Sequence, residues 1–399
     1  FRRVLFRSIQ LCSFMKVLWL ASWYPNKRTE LNGDFIQRQA NSCTFEEVEI
    51  IVLHVCSRTN STDYELVVNT QANKNPITEI IVYYPETIKP LKFLKFLKAH
   101  QKGIEYLEKI NWSPDFIHIH VIYPSFLAYL YFFRKLPFII SEHYGAYRLK
   151  DVFKNRCIFK WISKYAISKA QMTIALNESM AVAMQNNGMN GNYTFLPNVV
   201  DTTIFFPIDH KNKVFRWLHV SNMDDSIKNV TGIIRVFSKI FAYRTDFEIV
   251  LIGDGVDKKK IVEYSQRLGI ERFVTFKTNL PHYHIAEEMQ VSDAFIMFSN
   301  YEGLPCVILE AMSTGLPIVT SETGGISEWV KNNIGIVIQP KNELALENAI
   351  IKIMEEYQNY QKNSISKLIQ ENCSNLIIGN SIVEMYKKII NHNQQHKKT

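Results

Sequence analysis

The 399-residue chain has no CxxC pair, no repeated cysteine spacing and no close histidine–cysteine cluster. Its six cysteines stand singly, at Cys12, Cys43, Cys56, Cys157, Cys306 and Cys373. This argues against a disulfide scaffold and a zinc site, and it points to a reducing compartment. HExxH is missing too, and Asp224 and Asp225 are adjacent rather than spaced, so no metal is expected. No apolar run is long enough for a comfortable bilayer crossing. The most apolar later stretch, 126–140, is broken by Arg134 and Lys135 and reads as a helix followed by a strand. The net charge of +8 comes with no long Arg/Lys run and no RNA-binding or zinc-finger signature, so nucleic acid is not an expected partner.

The chain does have apolar residues in quantity, 47%, at a length that suits two α/β domains better than one core. Short apolar strands such as VLWLA, EIIVLHV, DFIHIH and FEIVLIG alternate with helical patterns of ten or more residues. That alternation predicts parallel sheets covered on both faces, and it occurs twice. The expected organisation is residues 15–205, a linker at 206–212, a second domain at 213–375, and a C-terminal helix and polar tail at 376–399. Residues 1–14 precede Met15 and read as a non-native extension, because the first strand already begins at Lys16. In 89–103, Lys92, Lys95 and Lys98 recur among Phe93, Leu94, Phe96 and Leu97. This is either a basic amphipathic element for an anionic membrane surface or a solvated lysine edge on a core helix. Open α/β sheets bind ligands at the carboxyl ends of their strands, so two such domains predict a cleft between them.

The most informative stretch is YEGLPCVILEAMSTGLPIVTSETGGISEWV, 301–330. It sets Glu302 and Glu310 about the start of a helix and Gly324 and Gly325 after a strand, before a second expected helix. Ser299 to Val330 resembles the signature region of the family-4 glycosyltransferases, which are retaining, metal-independent enzymes of the two-Rossmann-domain GT-B fold. The spacing of the two glutamates is weak alone. Together with EGLP, EAMSTGLPIV and GG-x-x-E it is specific, and the resemblance extends over nearly all of Met15 to Ile390.

The resemblance implies roles residue by residue. Glu310 matches the glutamate that accepts hydrogen bonds from a ribose diol. Glu302 matches the one beside the transferred sugar, where a carboxylate stabilises developing positive charge at the anomeric carbon. Lys228 matches a diphosphate-binding lysine. The arginine usual a few residues earlier is replaced in the run Ser221-Asn222-Met223, so Asn222 puts an uncharged group where a cation is expected. Gly33, Gly324 and Gly325 match places where backbone N–H groups approach the donor. Gly253 and Gly255 are expected to mark the fold only. His120 matches a histidine that reaches the sugar, His143 matches that of a T–E–H segment, and His118 is expected to be structural.

The resemblance thus implies a retaining hexosyltransferase. It would use a nucleoside-diphosphate sugar as substrate, need no cofactor, and act on a glycan or lipid-linked hydroxyl in bacterial envelope polysaccharide synthesis, in the cytoplasm or at the inner face of the plasma membrane. Two other readings are a nucleotide-sugar epimerase of the same shape and a noncatalytic sugar-nucleotide-binding subunit.

Overall fold

The structure, a computed structural model, describes residues 14–29, 32–43, 48–59, 61–70, 77–149, 153–154, 156–278 and 280–396. Apart from Phe14, the expected N-terminal extension lies outside the described residues. The chain forms two compact units. The first is Phe1–Glu142, Trp161–Thr173 and Gly379–Thr399, and the second is His143–Lys160 and Ile174–Ile378. Both are Rossmann-like α/β units, the class expected from the alternating pattern and consistent with the GT-B fold.

In the first unit the strands are β1 (Met15–Ala21), β2 (Val48–Arg58), β3 (Glu65–Thr70), β4 (Thr78–Pro85), β5 (Phe116–His120) and β6 (Phe138–Glu142). Their order is β3-β4-β2-β1-β5-β6. The inner strands are parallel and buried on both faces, as their near-continuous apolar sequences require. Among these six strands only β3 runs antiparallel, against β4. Its half-exposed ELVVNT sequence escaped the sequence reading because an edge strand need not be apolar on both faces. The helices α1 (Asp34–Ser42), α2 (Lys89–Lys109) and α3 (Ile122–Ala128) follow β1, β4 and β5. The next helix, α4 (Cys157–Lys169), leads into the short strand β7 (Thr173–Ala175).

After its first segment, His143–Lys160, the second unit continues with α5 (Glu178–Asn186) and the short β8 (Tyr193–Phe195). Its main sheet contains β9 (Phe215–Val220), β10 (Phe247–Ile252), β11 (Val274–Lys277), β12 (Ala294–Met297), β13 (Ile318–Ser321) and β14 (Gly335–Ile338), in the order β11-β10-β9-β12-β13-β14. The helices are α6 (Asp225–Lys228), α7 (Val230–Phe241), α8 (Lys258–Arg267), α9 (His282–Gln290), α10 (Cys306–Ser313), α11 (Glu343–Glu355) and α12 (Lys362–Cys373). α7 shows why this core forms. Val230, Ile233, Ile234, Phe237 and Ile240 recur on one face at helical spacing and are fully or almost fully buried. Burying each such side chain contributes about 1.5–3 kcal/mol.

The last helix, α13 (Asn375–His396), was open to either domain in sequence terms. From Gly379 onward it belongs to the first unit. There Trp19 Nε1 donates to the Tyr386 hydroxyl at 2.9 Å, and that hydroxyl lies 2.7 Å from His118 Nδ1.

In each sheet the chain reverses direction of growth beside its first strand. These switch points lie between β1 and β5, and between β9 and β12. Ligands of open α/β sheets bind outside the carboxyl ends of strands at such places.

Candidate functional site

At the second unit's switch point, two of the expected residues form one ion pair. Lys228 Nζ donates to Glu302 Oε1 at 2.6 Å, and the same oxygen accepts from Ser299 Oγ at 2.7 Å. The local sequence explains the placement. Asp224 caps α6 by accepting from Ser226 N, and α6 stops at Asn229, whose φ is 49°. The loop after β12 is stitched to that helix by Asn300, whose N–H donates to Ile227 O at 2.8 Å and whose Nδ2 donates to Ser226 O at 3.0 Å. The pair is thus held from both sides, with side chains only 14% and 9% exposed. Glu310 is 4% exposed on α10, which starts after Pro305, and its carboxylate lies 3.9 Å from His282 Nε2.

Gly324 and Gly325 form a turn against the Glu302–Gly303 backbone. Their φ values, 64° and 78°, are left-handed. A Cβ on Gly324 would sit 1.5 Å from Gly303 O, so only glycine permits this approach. The helix expected after Gly325 is not there. A single 3₁₀ turn, Ile326–Glu328, follows instead, so the amides here belong to a tight turn and not to an α-helix N-terminus.

Asn177 braces the turn. It caps α5 by accepting from Met180 N at 2.9 Å, accepts from Arg148 Nη2 at 2.8 Å, and donates Nδ2 to Gly324 O at 2.8 Å. Burial lowers the Arg148 pKa, while Tyr301 and Glu328 oppose that shift. Sequence reasoning missed Ser299, Asn177 and Arg148. Asn177 had a visible signal, an Asn directly before a helix, but nothing local tied it to a turn 147 residues away.

Asn222 is exposed in the loop after β9 and contributes its carbonyl to Asp224 N at 2.9 Å. Gly253 and Gly255 pack against this loop. Cβ atoms there would lie 1.8 Å from Ser221 O and 2.8 Å from Met223 N, which gives both glycines a packing role. His143 is buried in the second unit, and burial pushes its pKa down to about 3.

Gly33 and His120 lie in the first unit. Gly33, with φ 75°, is the N-cap of α1, and a Cβ there would meet the Trp23 carbonyl carbon at 2.6 Å. His120 is fully buried at the end of β5, stacked on Trp19 with ring centroids 4.0 Å apart. Directly after it, Val121 adopts φ 63°, a strained state for a β-branched residue that costs on the order of 1–3 kcal/mol. Ser22 Oγ donates to Val121 O at 2.7 Å and Val121 N donates to Ser141 O at 2.9 Å, which holds the chain there. His118 is hydrogen-bonded on both ring nitrogens, to Tyr386 and Ser141. A cavity of about 1270 Å³ lined by Phe126, Tyr129, Arg134 and Lys169 includes none of the expected site residues. Among the described residues, no group of three His, Cys, Asp or Glu side chains is placed to hold a metal ion.

The chain is similar to known proteins. The family described as "Glycosyl transferases group 1" matches residues 200–394, and "Glycosyltransferase Family 4" matches 47–204. The chain is similar to the putative teichuronic acid biosynthesis glycosyltransferase TuaC of Bacillus subtilis, at 22% identity over 86% of this chain and 90% of that protein. It is also similar to the UDP-Gal:alpha-D-GlcNAc-diphosphoundecaprenol alpha-1,3-galactosyltransferase of Escherichia coli, at 21% identity over 83% and 91%. Among solved structures, a sucrose-phosphate synthase of Thermosynechococcus elongatus shares the fold. Its TM-score is 0.76 at 14% identity, covering 95% of this chain and all of that one. The chain therefore has the fold of GT-B glycosyltransferases and is related to bacterial envelope-polysaccharide glycosyltransferases.

Proposed function

We propose that this relative of the envelope-polysaccharide glycosyltransferases is a retaining hexosyltransferase. It moves a sugar from a nucleoside diphosphate to a hydroxyl of a glycan or lipid-linked acceptor. The observation that carries the reading is the Lys228–Glu302 pair set against the Gly303 and Gly324 backbone. Departure of a diphosphate calls for a cation and aimed N–H groups, and growth of charge at the anomeric carbon calls for a carboxylate. Lys228 and the Gly324–Gly325 turn supply the first, and Glu302 supplies the second. Glu310 holds the ribose diol. His143, in the same unit, serves a sugar hydroxyl or a phosphate oxygen.

In this reading the anomeric C–O bond breaks with its electron pair leaving on the diphosphate. The acceptor oxygen bonds to the same face of the sugar, and its proton passes to a β-phosphate oxygen. The E. coli relative's name specifies a UDP-sugar and a diphosphoundecaprenol acceptor, which favours a lipid-linked acceptor here. The start of α2 fits work at an anionic membrane surface. Leu91, Phe93 and Leu94 are exposed there, 44–61%, among Lys92, Lys95 and Lys98. No helix among the described residues is long and apolar enough to cross a membrane. We place the protein at the cytoplasmic face of the plasma membrane.

The test is a donor-by-acceptor panel read by mass spectrometry, with anomeric NMR of the product. Retention of configuration is expected. An inverted product, or epimerised donor without a glycosidic product, overturns the reading.

A further inference from the structure

The first unit's switch point holds a cavity of about 840 Å³, whose lining shares Lys92 and Phe93 with the surface of α2 discussed above. It lies at the carboxyl ends of β1, β2 and β4, against the first turns of α2. Its charge is one-sided. Arg28 and Lys92 line it, and among the described residues no Asp or Glu does. The neighbouring cations Lys27 and Arg58 both pair with Glu65, whereas Arg28 and Lys92 enter no ion pair among the described residues. Among the described residues, the hydrogen bond of the Arg28 guanidinium is a long one, Nη1 to Ser57 O at 3.4 Å. The N-terminus of the 21-residue α2 adds to the positive field, since its first turn carries no acid and no side chain caps it.

One of its lining residues, His54, carries a buried acceptor. His54 is 3% exposed, and its Nδ1 lies 2.8 Å from Ala21 O. A carbonyl oxygen only accepts, so Nδ1 carries the proton. Burial holds the His54 pKa at about 4, so near pH 7 the ring is neutral and Nε2 is a bare acceptor. Nε2 is buried and has no hydrogen-bond partner among protein groups. A buried polar atom in this state calls for explanation, and a ligand hydroxyl supplies one. Tyr84, Phe93 and Tyr123 complete the lining with flat apolar faces.

We propose that this cavity binds the acceptor as an anionic, hydroxyl-bearing sugar. Arg28 and Lys92 take its phosphate or carboxylate, His54 Nε2 accepts from a ring hydroxyl, and the aromatic rings pack on the sugar face. Calling this ligand the acceptor rests on the transferase reading; the binding itself does not. Sheet register supports the assignment. Ala21 is the partner of His54 on one side and of His120 on the other. The two histidines are therefore two strand spacings apart, roughly 10 Å, which a sugar residue spans.

The experiment titrates the full chain, without donor, with α-D-glucose 1-phosphate, D-glucuronate and D-glucose, read by isothermal calorimetry and saturation-transfer NMR. At least one anionic sugar should bind roughly tenfold more tightly than glucose, and added salt should erode the difference. Preference for the phosphate or for the carboxylate identifies the anion. Arg28→Gln and Lys92→Gln, both at exposed positions where folding should be unaffected, should each reduce the advantage. His54→Phe should weaken binding of the preferred anionic sugar. Equal binding of glucose and both anionic sugars, no binding of either anion, or indifference to both charge substitutions overturns the proposal. A wild-type chain that binds the anionic sugar but forms no glycosidic product with any donor keeps the pocket and rejects the transferase reading.

Discussion

Glu302→Gln and Lys228→Met should change nucleoside-diphosphate affinity in opposite directions. Lys228 Nζ lies 2.6 Å from Glu302 Oε1, and both side chains are largely shielded from water. A hydrogen bond to a charged group contributes about 1.5–3 kcal/mol net. For Lys228 to serve a diphosphate, that bond must be surrendered or shared. Glu302→Gln keeps an acceptor for Ser299 but removes the competing charge. Affinity for the preferred diphosphate should then hold or rise, by up to roughly tenfold. Lys228→Met removes the cation, and affinity should fall by roughly ten- to a hundredfold. Transfer should fall in both variants, by on the order of 10²–10³ for Glu302→Gln if its charge stabilises the transition state. Calorimetric titration with UDP, GDP and ADP in turn, beside the product assay, reads all of this. Urea unfolding provides the control, since leaving Lys228 without its counter-ion destabilises the fold. If both substitutions weaken diphosphate binding to the same extent, the pair is a structural strut and the donor-site reasoning fails.

Acidification should destabilise the fold earlier than carboxylate titration alone predicts. Burial lowers His54, His100 and His219 to about 4 and His143 to about 3. The unfolded chain takes up these protons near pH 6.5 and the folded chain does not. Stability is therefore complete above that value and declines as pH falls toward about 4, by on the order of 1 kcal/mol per pH unit per histidine. Urea midpoints between about pH 7.5 and 5 check this, and a flat midpoint across that range refutes it. Asn177→Asp should separate capping from bracing. Aspartate still accepts from Met180 N and Arg148 Nη2, so thermal stability should stay near wild type. Its second oxygen would face Gly324 O where Nδ2 now donates, so transfer should drop; unchanged turnover would show that the brace is idle.

The inner strands could be read from the sequence because both faces of a parallel sheet are covered, which forces near-continuous apolar runs such as VLWLA and FIHIH. The glycines after β10 and β13 were legible for a related reason, since each takes a backbone conformation or close approach that a Cβ would forbid. The edge strand β3 and the 3₁₀ turn after Gly325 were not, because neither has a periodicity that distinguishes it from a loop or from a helix start. Within the candidate site, residue types were visible and partnerships were not. Lys228 and Glu302 are 74 residues apart, so their pairing depends on the sheet order that sets β9 beside β12. Asn222 illustrates the converse. The missing charge was plain in the sequence, but no local pattern indicated Arg148 and Asn177 as another charged anchor near the glycine turn.

The division of α13 bears on how the chain is made. Tyr386, which ties Trp19 to His118, is synthesised 367 residues after the first and 268 after the second. Contacts between residues 367 and 268 positions apart carry a large loop-closure cost and form slowly. The first unit therefore cannot complete its core as it emerges from the ribosome, although most of its strands appear first. Until the last helix docks, the side chains it covers remain open to solvent. A fragment ending before Gly379 would lack part of that unit's interior, so the N-terminal half should not be expected to fold as an excised domain.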